Sequence, residues 1–243
     1  MSIKRVIVFF SIIVIMLIFS YFYPTLTGKI VTDKEQALLL RVIDGDTIEV
    51  LYDDNPVKVR LLGINTPEKN MPFSNESKNF LRRFENKTLI LEADFEDTDK
   101  YGRKLRYAFY KDTFLNQEIL ENGFANAYYY AGLKYEKKLL EAEKRARENE
   151  RGIWQKSYEA CAVCIKLKEL NEKEEYFILE NKCAFICNLN GWFVKDSGRN
   201  IFKLSSINAK TQIRINSTKE TWNQHDKFFL FDPSGLLVIY YEY

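Results

Sequence analysis

The sequence predicts a mainly β protein with a few helices, arranged as two modules behind an apolar N-terminal segment. Three observations lead there. Five short runs rich in Leu, Val and Ile fall between residues 37 and 110, enough for a small closed sheet. Beyond Tyr176, short apolar and aromatic runs recur between turn signals in the manner of a β-sandwich. Between the two, residues 135 to 150 place apolar side chains at three- and four-residue spacings, the mark of an amphipathic helix. A chain of 243 residues has room for two domains that each bury a core. With 46% apolar and 29% charged residues, disorder is excluded as a default, and 36 basic against 34 acidic side chains mean that any nucleic-acid site must be a local patch.

Residues 6–23, VIVFFSIIVIMLIFSYFY, run for 18 positions without a charge, long enough to span a bilayer as a transmembrane helix. Lys4 and Arg5 before them favour a cytoplasmic N-terminus, residues 1–5, and send everything after Pro24 outward; Tyr21 and Tyr23 fall where an interfacial belt forms. The following YFYPTLTG has no clear small-x-small cleavage site, so an uncleaved anchor is expected ahead of a signal segment whose removal would leave the protein secreted. Residues 24–36 read as a linker.

In ALLLRVIDGDTIEV, residues 37–50, two strands meet at an Asp-Gly-Asp turn. Val57–Leu62, Leu89–Phe95 and Leu105–Tyr110 supply three more. Ser74–Asn86 and Asn116–Asn122 read as helices, each with an N-cap candidate at its start. Tyr135–Glu150 is the strongest helix, with Tyr135, Leu139, Ala142 and Ala146 on its apolar face, its many charges read as a solvated face, and Gly152 as its stop.

The turns Asp44–Thr47 and Asn65–Glu68 carry hard oxygen donors at the ends of adjacent strands, a setting that suits calcium. Arg60 precedes the second turn and Arg103 sits in the glycine turn DKYGR; guanidinium groups grip phosphate bidentately and stay charged. A cation, two arginines and a glutamate able to take a proton from water form a set suited to attack on a phosphodiester. Each piece alone is ordinary: a lone Asp-Gly-Asp is usually a hairpin turn and a lone strand arginine a surface ion pair. Their joint order and spacing carry the reading.

RVIDGDTIEV, VRLLGINTPE, DKYGR and the helix ending in RGIW together resemble the staphylococcal nuclease (thermonuclease-like) family over residues 37–154. The resemblance implies a five-stranded OB-fold barrel with three helices and a calcium-dependent endonuclease that hydrolyses DNA and RNA and leaves 3′-phosphate ends. It also implies roles: Asp46 as the main calcium ligand, Thr66 as a ligand through its backbone carbonyl, Glu68 as general base, and Arg60 and Arg103 as phosphate-binding groups. Asn65 stands where the best-known members carry a second aspartate ligand; one negative charge is gone, and weaker metal binding is expected. A catalytically weakened OB scaffold that binds nucleic acid or a surface is the alternative. Lys100 and Tyr101 adjoin Arg103, and Tyr128, Tyr129 and Tyr130 follow Gly123 near the place where the family stacks a base, so Lys100, Tyr101 and Tyr129 are assigned to substrate binding. Packing on the barrel is the other reading of these tyrosines.

Residues 155–175, including CAVCIKLKELNEKEE, read as a linker before a module over 176–243 with strand-like YFILEN, NLNGWFVKD, NIFKL, TQIRIN, KFFLFD and GLLVIYYEY. LNGWFVKDSGRNIFKL and TWNQHDKFFLFDPSGLLV resemble a lamin-tail domain, which implies an Ig-like sandwich that binds or anchors an unknown ligand and has no chemistry of its own. Trp192 and Trp222 are expected in its core and His225 in a surface turn. Cys161, Cys164, Cys183 and Cys187 could form two disulfides, hold zinc with four thiolates or stay as free thiols, and an exported location favours disulfides. A monomer is expected.

Overall fold

The computed structural model describes residues 34–128, 132–218, 221–222 and 226–242. The expected membrane span 6–23 with its flanks, Tyr129, Tyr130 and His225 lie outside these, and among the described residues no helix is long and apolar enough to cross a membrane.

Apolar side chains at alternate positions build the barrel. Lys34–Val42 (β1) pairs antiparallel with Thr47–Tyr52 (β2), which pairs with Asn55–Leu61 (β3). A register shift between Leu39 and Arg41 bends β1, whose first half pairs with Thr88–Glu92 (β5), downstream of the short strand Ile64–Asn65 (β4) and helix Ser74–Arg82 (α1). Lys104–Tyr110 (β6) follows β5, and Thr113–Phe114 (β7) adds an edge to it. Parallel pairing of β3 with β6 closes five strands on themselves, as an OB-type barrel requires. Leu39, Ile48, Val50, Val59, Leu89 and Leu91 fill the interior with no exposed surface.

Leu115–Glu121 (α2), Asn126–Ala127 (β8) and Glu136–Glu148 (α3) complete this part, with a 3-10 turn at Gly152–Trp154. The expected N-caps are not used. Position Phe73 precedes α1 and Phe114 precedes α2, neither making a side-chain cap. Asn116 is fully buried instead, accepting from the Ala108 N–H and donating to the Leu62 carbonyl, so it ties α2 to the barrel. Helix α3 buries Leu139, Ala142 and Ala146 as its spacing predicts, and it also buries Glu143. That glutamate corrects the reading of its charges as wholly solvated.

The rest forms two further sheets. Ile165–Asn171 (β9) lies in the segment expected as a linker: the paired residues Ile165 and Leu167 are drawn inward while Lys166 and Lys168 face out. It pairs with Tyr176–Asn181 (β10) in a sheet completed by the later strand Gln212–Asn216 (β13). Phe193–Lys195 (β11), Ile201–Lys203 (β12), Lys227–Phe231 (β14) and Leu237–Glu242 (β15) form the other, in the order β12-β11-β14-β15. The two share one core in which Phe177 meets Phe228 edge-on at 5.2 Å and both Trp192 and Trp222 are buried. Two disulfides, Cys161–Cys187 and Cys164–Cys183, tie the entry of β9 to the loop after β10.

Strand β14, KFFLF, is buried at all five positions. Phe228 and Leu230 point into the core between the two sheets, and Phe229 and Phe231 turn the other way, onto Ala146, Ile153 and Trp154 of the barrel part. Residues 34–243 thereby make one compact unit.

Candidate active site at the barrel rim

The Asp-Gly-Asp turn is held by its own side chains. The Asp44 carboxylate accepts from the Asp46 N–H at 3.1 Å; burial, and next the neighbouring Asp46 charge, pushes the Asp44 carboxyl above its ordinary value. A Cβ on Gly45 would lie 2.5 Å from the Ser77 Cβ and 2.8 Å from the Thr66 hydroxyl, so this turn can approach the second one only as glycine. Thr66 gives both its N–H and its hydroxyl to Asp46 Oδ2, each at 3.1 Å.

Arg60 is drawn to the same carboxylate. Its Nη2 lies 3.1 Å from Asp46 Oδ2 and 3.4 Å from Asn65 Oδ1, while Nη1 donates to the Leu61 carbonyl at 2.7 Å. Arg103 enters from the other side. Closure of the barrel sets Arg60 against Leu105, two residues past Arg103, and Arg103 Nη1 reaches the Thr47 hydroxyl at 3.1 Å, which itself donates to Asp46 Oδ1. The two guanidiniums are thus joined through Asp46 and Thr47. Gly102, at φ +75°, makes the turn that lets Asp99 hold Arg103 through Nε and Nη2, each at 2.7 Å. Burial works to raise the Asp99 carboxyl but is outweighed by the Arg103 N–H and guanidinium and the Tyr101 N–H, which leave it below the ordinary value.

Arg60, Asn65, Lys100, Tyr101, Arg103 and Tyr128 line one open cleft of about 850 Å³. Asp46 and Thr66 are buried beside it. Glu68 is not among the residues that line this cleft: it borders a separate, largely apolar pocket with Phe73, Phe193 and Ile201, is half exposed, and is tied to the cleft only through its pair with Arg199 Nε at 2.9 Å. Arg199 belongs to the hairpin between β11 and β12, so the C-terminal sheets reach the cleft, where Asp196, Gly198 and Asn200 complete the wall. The C-terminal sheets, to which the lamin-tail resemblance gives binding or anchoring and no chemistry of their own, thus supply part of the cleft wall.

Asn65 joins the two parts. Its Nδ2 donates to the Ser197 and Gly198 carbonyls, each at 2.9 Å, and Asn126, opposite it across the β4–β8 pair, donates to the Ser197 carbonyl at 3.1 Å. Two carbonyls on one side and the Arg60 donor on the other leave a single orientation for the amide. An aspartate would face both carbonyls with a charge and no hydrogen to give. Asn65→Asp is expected to lower the unfolding free energy by about 1–3 kcal/mol, read from denaturant titration; an unchanged midpoint would show that the amide is not needed for docking.

The two side chains expected as metal ligands, Asp46 and Asn65, converge on the Arg60 guanidinium. Asp46 Oδ2 and Asn65 Oδ1 already share one positively charged nitrogen of Arg60, so this donor pair fits a divalent ion, with one formal charge where two aspartates would supply two. The other predicted ligand, Thr66, directs its N–H and hydroxyl at Asp46.

Thr47 lies in the Asp44–Thr47 turn named from the sequence; Asp99 was not singled out, although its place four residues before Arg103 could have marked it, and Asn126, Ser197 and Arg199 carry no local signal. Lys195 is another. Buried, with its ammonium on the Asn126 side-chain oxygen and the Asp196 carbonyl, it is pushed down by that burial to about 8.

The family model for staphylococcal nuclease homologues matches residues 58–156. A thermonuclease of Staphylococcus intermedius is 33% identical over 157 residues, covering 60% of this chain and 94% of that protein. A thermonuclease of Staphylococcus hyicus is 33% identical over 124 residues, covering 48% of this chain and 73% of the other. A micrococcal nuclease of Shigella flexneri is 30% identical over 127 residues, covering 48% and 71%. With nearly the whole length of one relative spanned at this identity and the barrel closed as the resemblance implies, the chain belongs to the staphylococcal nuclease family.

Proposed function

We propose that this chain is a calcium-dependent nuclease that hydrolyses phosphodiester bonds of DNA and RNA outside the cytoplasm. The observation that carries the reading is the union of Arg60 and Arg103 through Asp46 and Thr47 on one cleft. Two guanidiniums held in this way can bind the non-bridging oxygens of one phosphate and stabilise the charge that gathers there. Glu68 takes the proton from water as the water oxygen bonds to phosphorus and the bond to the 5′ oxygen breaks; that oxygen gains a proton from solvent and leaves as a 5′-hydroxyl, and the other end is a 3′-phosphate. Asp46 and Asn65 would hold the cation, which when bound neutralises charge at the phosphate. Tyr101 offers an exposed face to a base, with Lys100 beside its ring. The extracytoplasmic location rests on the apolar run after Lys4 and Arg5 alone.

One observation favours a second reading, a binding scaffold with little catalysis: Asn65 is committed to the C-terminal hairpin and Glu68 to Arg199. Digestion of plasmid DNA by the full chain, with calcium and with a chelator, separates the two. The nuclease reading requires cleavage that the chelator abolishes and that Glu68→Gln slows by about 10²–10⁴-fold. Binding without cleavage would select the scaffold.

A further inference from the structure

We propose that the hairpin between β11 and β12 is part of the substrate site and that Arg199 binds a backbone phosphate of the nucleic acid. This rests on the nuclease reading and extends it to a residue outside the matched span, 58–156.

The hairpin is fixed before any ligand arrives. The Asp196 carboxylate accepts from the Asn200 N–H at 3.0 Å and from its side-chain amide at 2.7 Å; burial pushes the Asp196 carboxyl up, against the pull of Lys195. The Ser197 N–H donates to Asp226 at 2.9 Å, and the Ser197 hydroxyl accepts from the Lys227 N–H at 3.1 Å. Asn65 and Asn126 hold its carbonyls from the barrel side. Binding therefore spends little on ordering this segment.

At the tip the chemistry changes. Arg199 is half exposed, and among the described residues Glu68 is its one partner, through Nε. An ion pair open to solvent on both sides contributes little to stability, so packing does not call for an arginine here. Its Nη groups remain for a phosphate without giving up Glu68. Arg60, Lys100 and Arg103 line the same cleft together with Glu96, Asp97, Asp99 and Asp196; of these carboxylates Asp99 is held by Arg103, Asp97 by Arg106 and Asp196 by the Asn200 amide, while Asp46 beside the cleft is held by Arg60. Arg199 adds a third guanidinium to Arg60 and Arg103 on this wall, a further group able to take a backbone phosphate.

The test is anisotropy of a short fluorescent single-stranded oligonucleotide on the full chain in chelator, across a series of salt concentrations, beside cleavage in calcium. Arg199→Ala is expected to weaken binding several-fold and to flatten the slope of log K against log salt by about 0.7, the value for one phosphate contact on a single strand. Arg199→Lys should keep the slope. A merely structural arginine would leave it unchanged in both variants. Wild-type affinity and slope in Arg199→Ala, with wild-type protein binding and cleaving, would overturn this proposal alone. Faster cleavage by Arg199→Ala at unchanged binding would overturn it by making the Glu68 pair a restraint. Wild-type protein that neither binds nor cleaves would remove the nuclease reading, and this proposal with it.

Discussion

Replacing Lys227 with alanine is expected to cost about 3–5 kcal/mol, because it strands the Glu143 carboxylate in the interior. The two groups meet at 2.6 Å with side chains 3% exposed on both sides, joining β14 of the C-terminal sheets to α3 of the barrel part. Neither is idle elsewhere: Glu143 also accepts from the Ala127 N–H, and Lys227 also donates to the Ala127 carbonyl. Breaking the pair therefore disturbs β8 as well, and through Asn126 the seat of the 197–198 hairpin. Urea unfolding measures the loss, and a change below about 1 kcal/mol would show that water reaches the pair and screens it. The double variant Lys227→Met with Glu143→Leu should recover much of the stability, since no buried charge is left, but not all of it, because the Ala127 N–H loses its acceptor.

The second large effect falls on activity. Arg60→Ala and Arg103→Ala are each expected to reduce kcat by about 10²–10³-fold, the usual consequence of removing one donor aimed at developing charge. Arg60→Lys should not restore it. An ammonium is a point charge and cannot reach the Leu61 carbonyl, Asp46 and a phosphate with the planar fork that Arg60 uses. Circular dichroism and unfolding midpoints must stay near wild type for the loss to be chemical. Turnover within tenfold of wild type in both alanine variants would mean that the phosphate is not held between these two residues.

Local patterning made the barrel legible. Two-residue alternation in ALLLRV, TIEV and VKVRLL predicts strands, and the glycine and aspartate turns between them set the pairing. Site residues within one motif are close by necessity: Asp46 and Thr47 share the turn named from the sequence, and Asp99, which was not singled out, sits four residues before Arg103. Element ends were less legible. Ser74 and Asn116 carry cap chemistry but are used otherwise, because burial of Asn116 rewarded bonds to Ala108 and Leu62.

What the sequence by itself determined is which face of each element is apolar and which short motifs carry oxygen donors and guanidiniums. Partner choice across long separations was decided only by tertiary structure: Asn65 reaches carbonyls 132 and 133 residues away, Lys227 reaches back 84 residues to Glu143, and Arg199 closes on Glu68. The periodicity of a strand or helix states that a side chain is buried, not against what. Helix α3 shows this most directly: Glu143 shares the inward face with Leu139, Ala142 and Ala146, and only the arrival of β14 with Lys227 makes a carboxylate there stable.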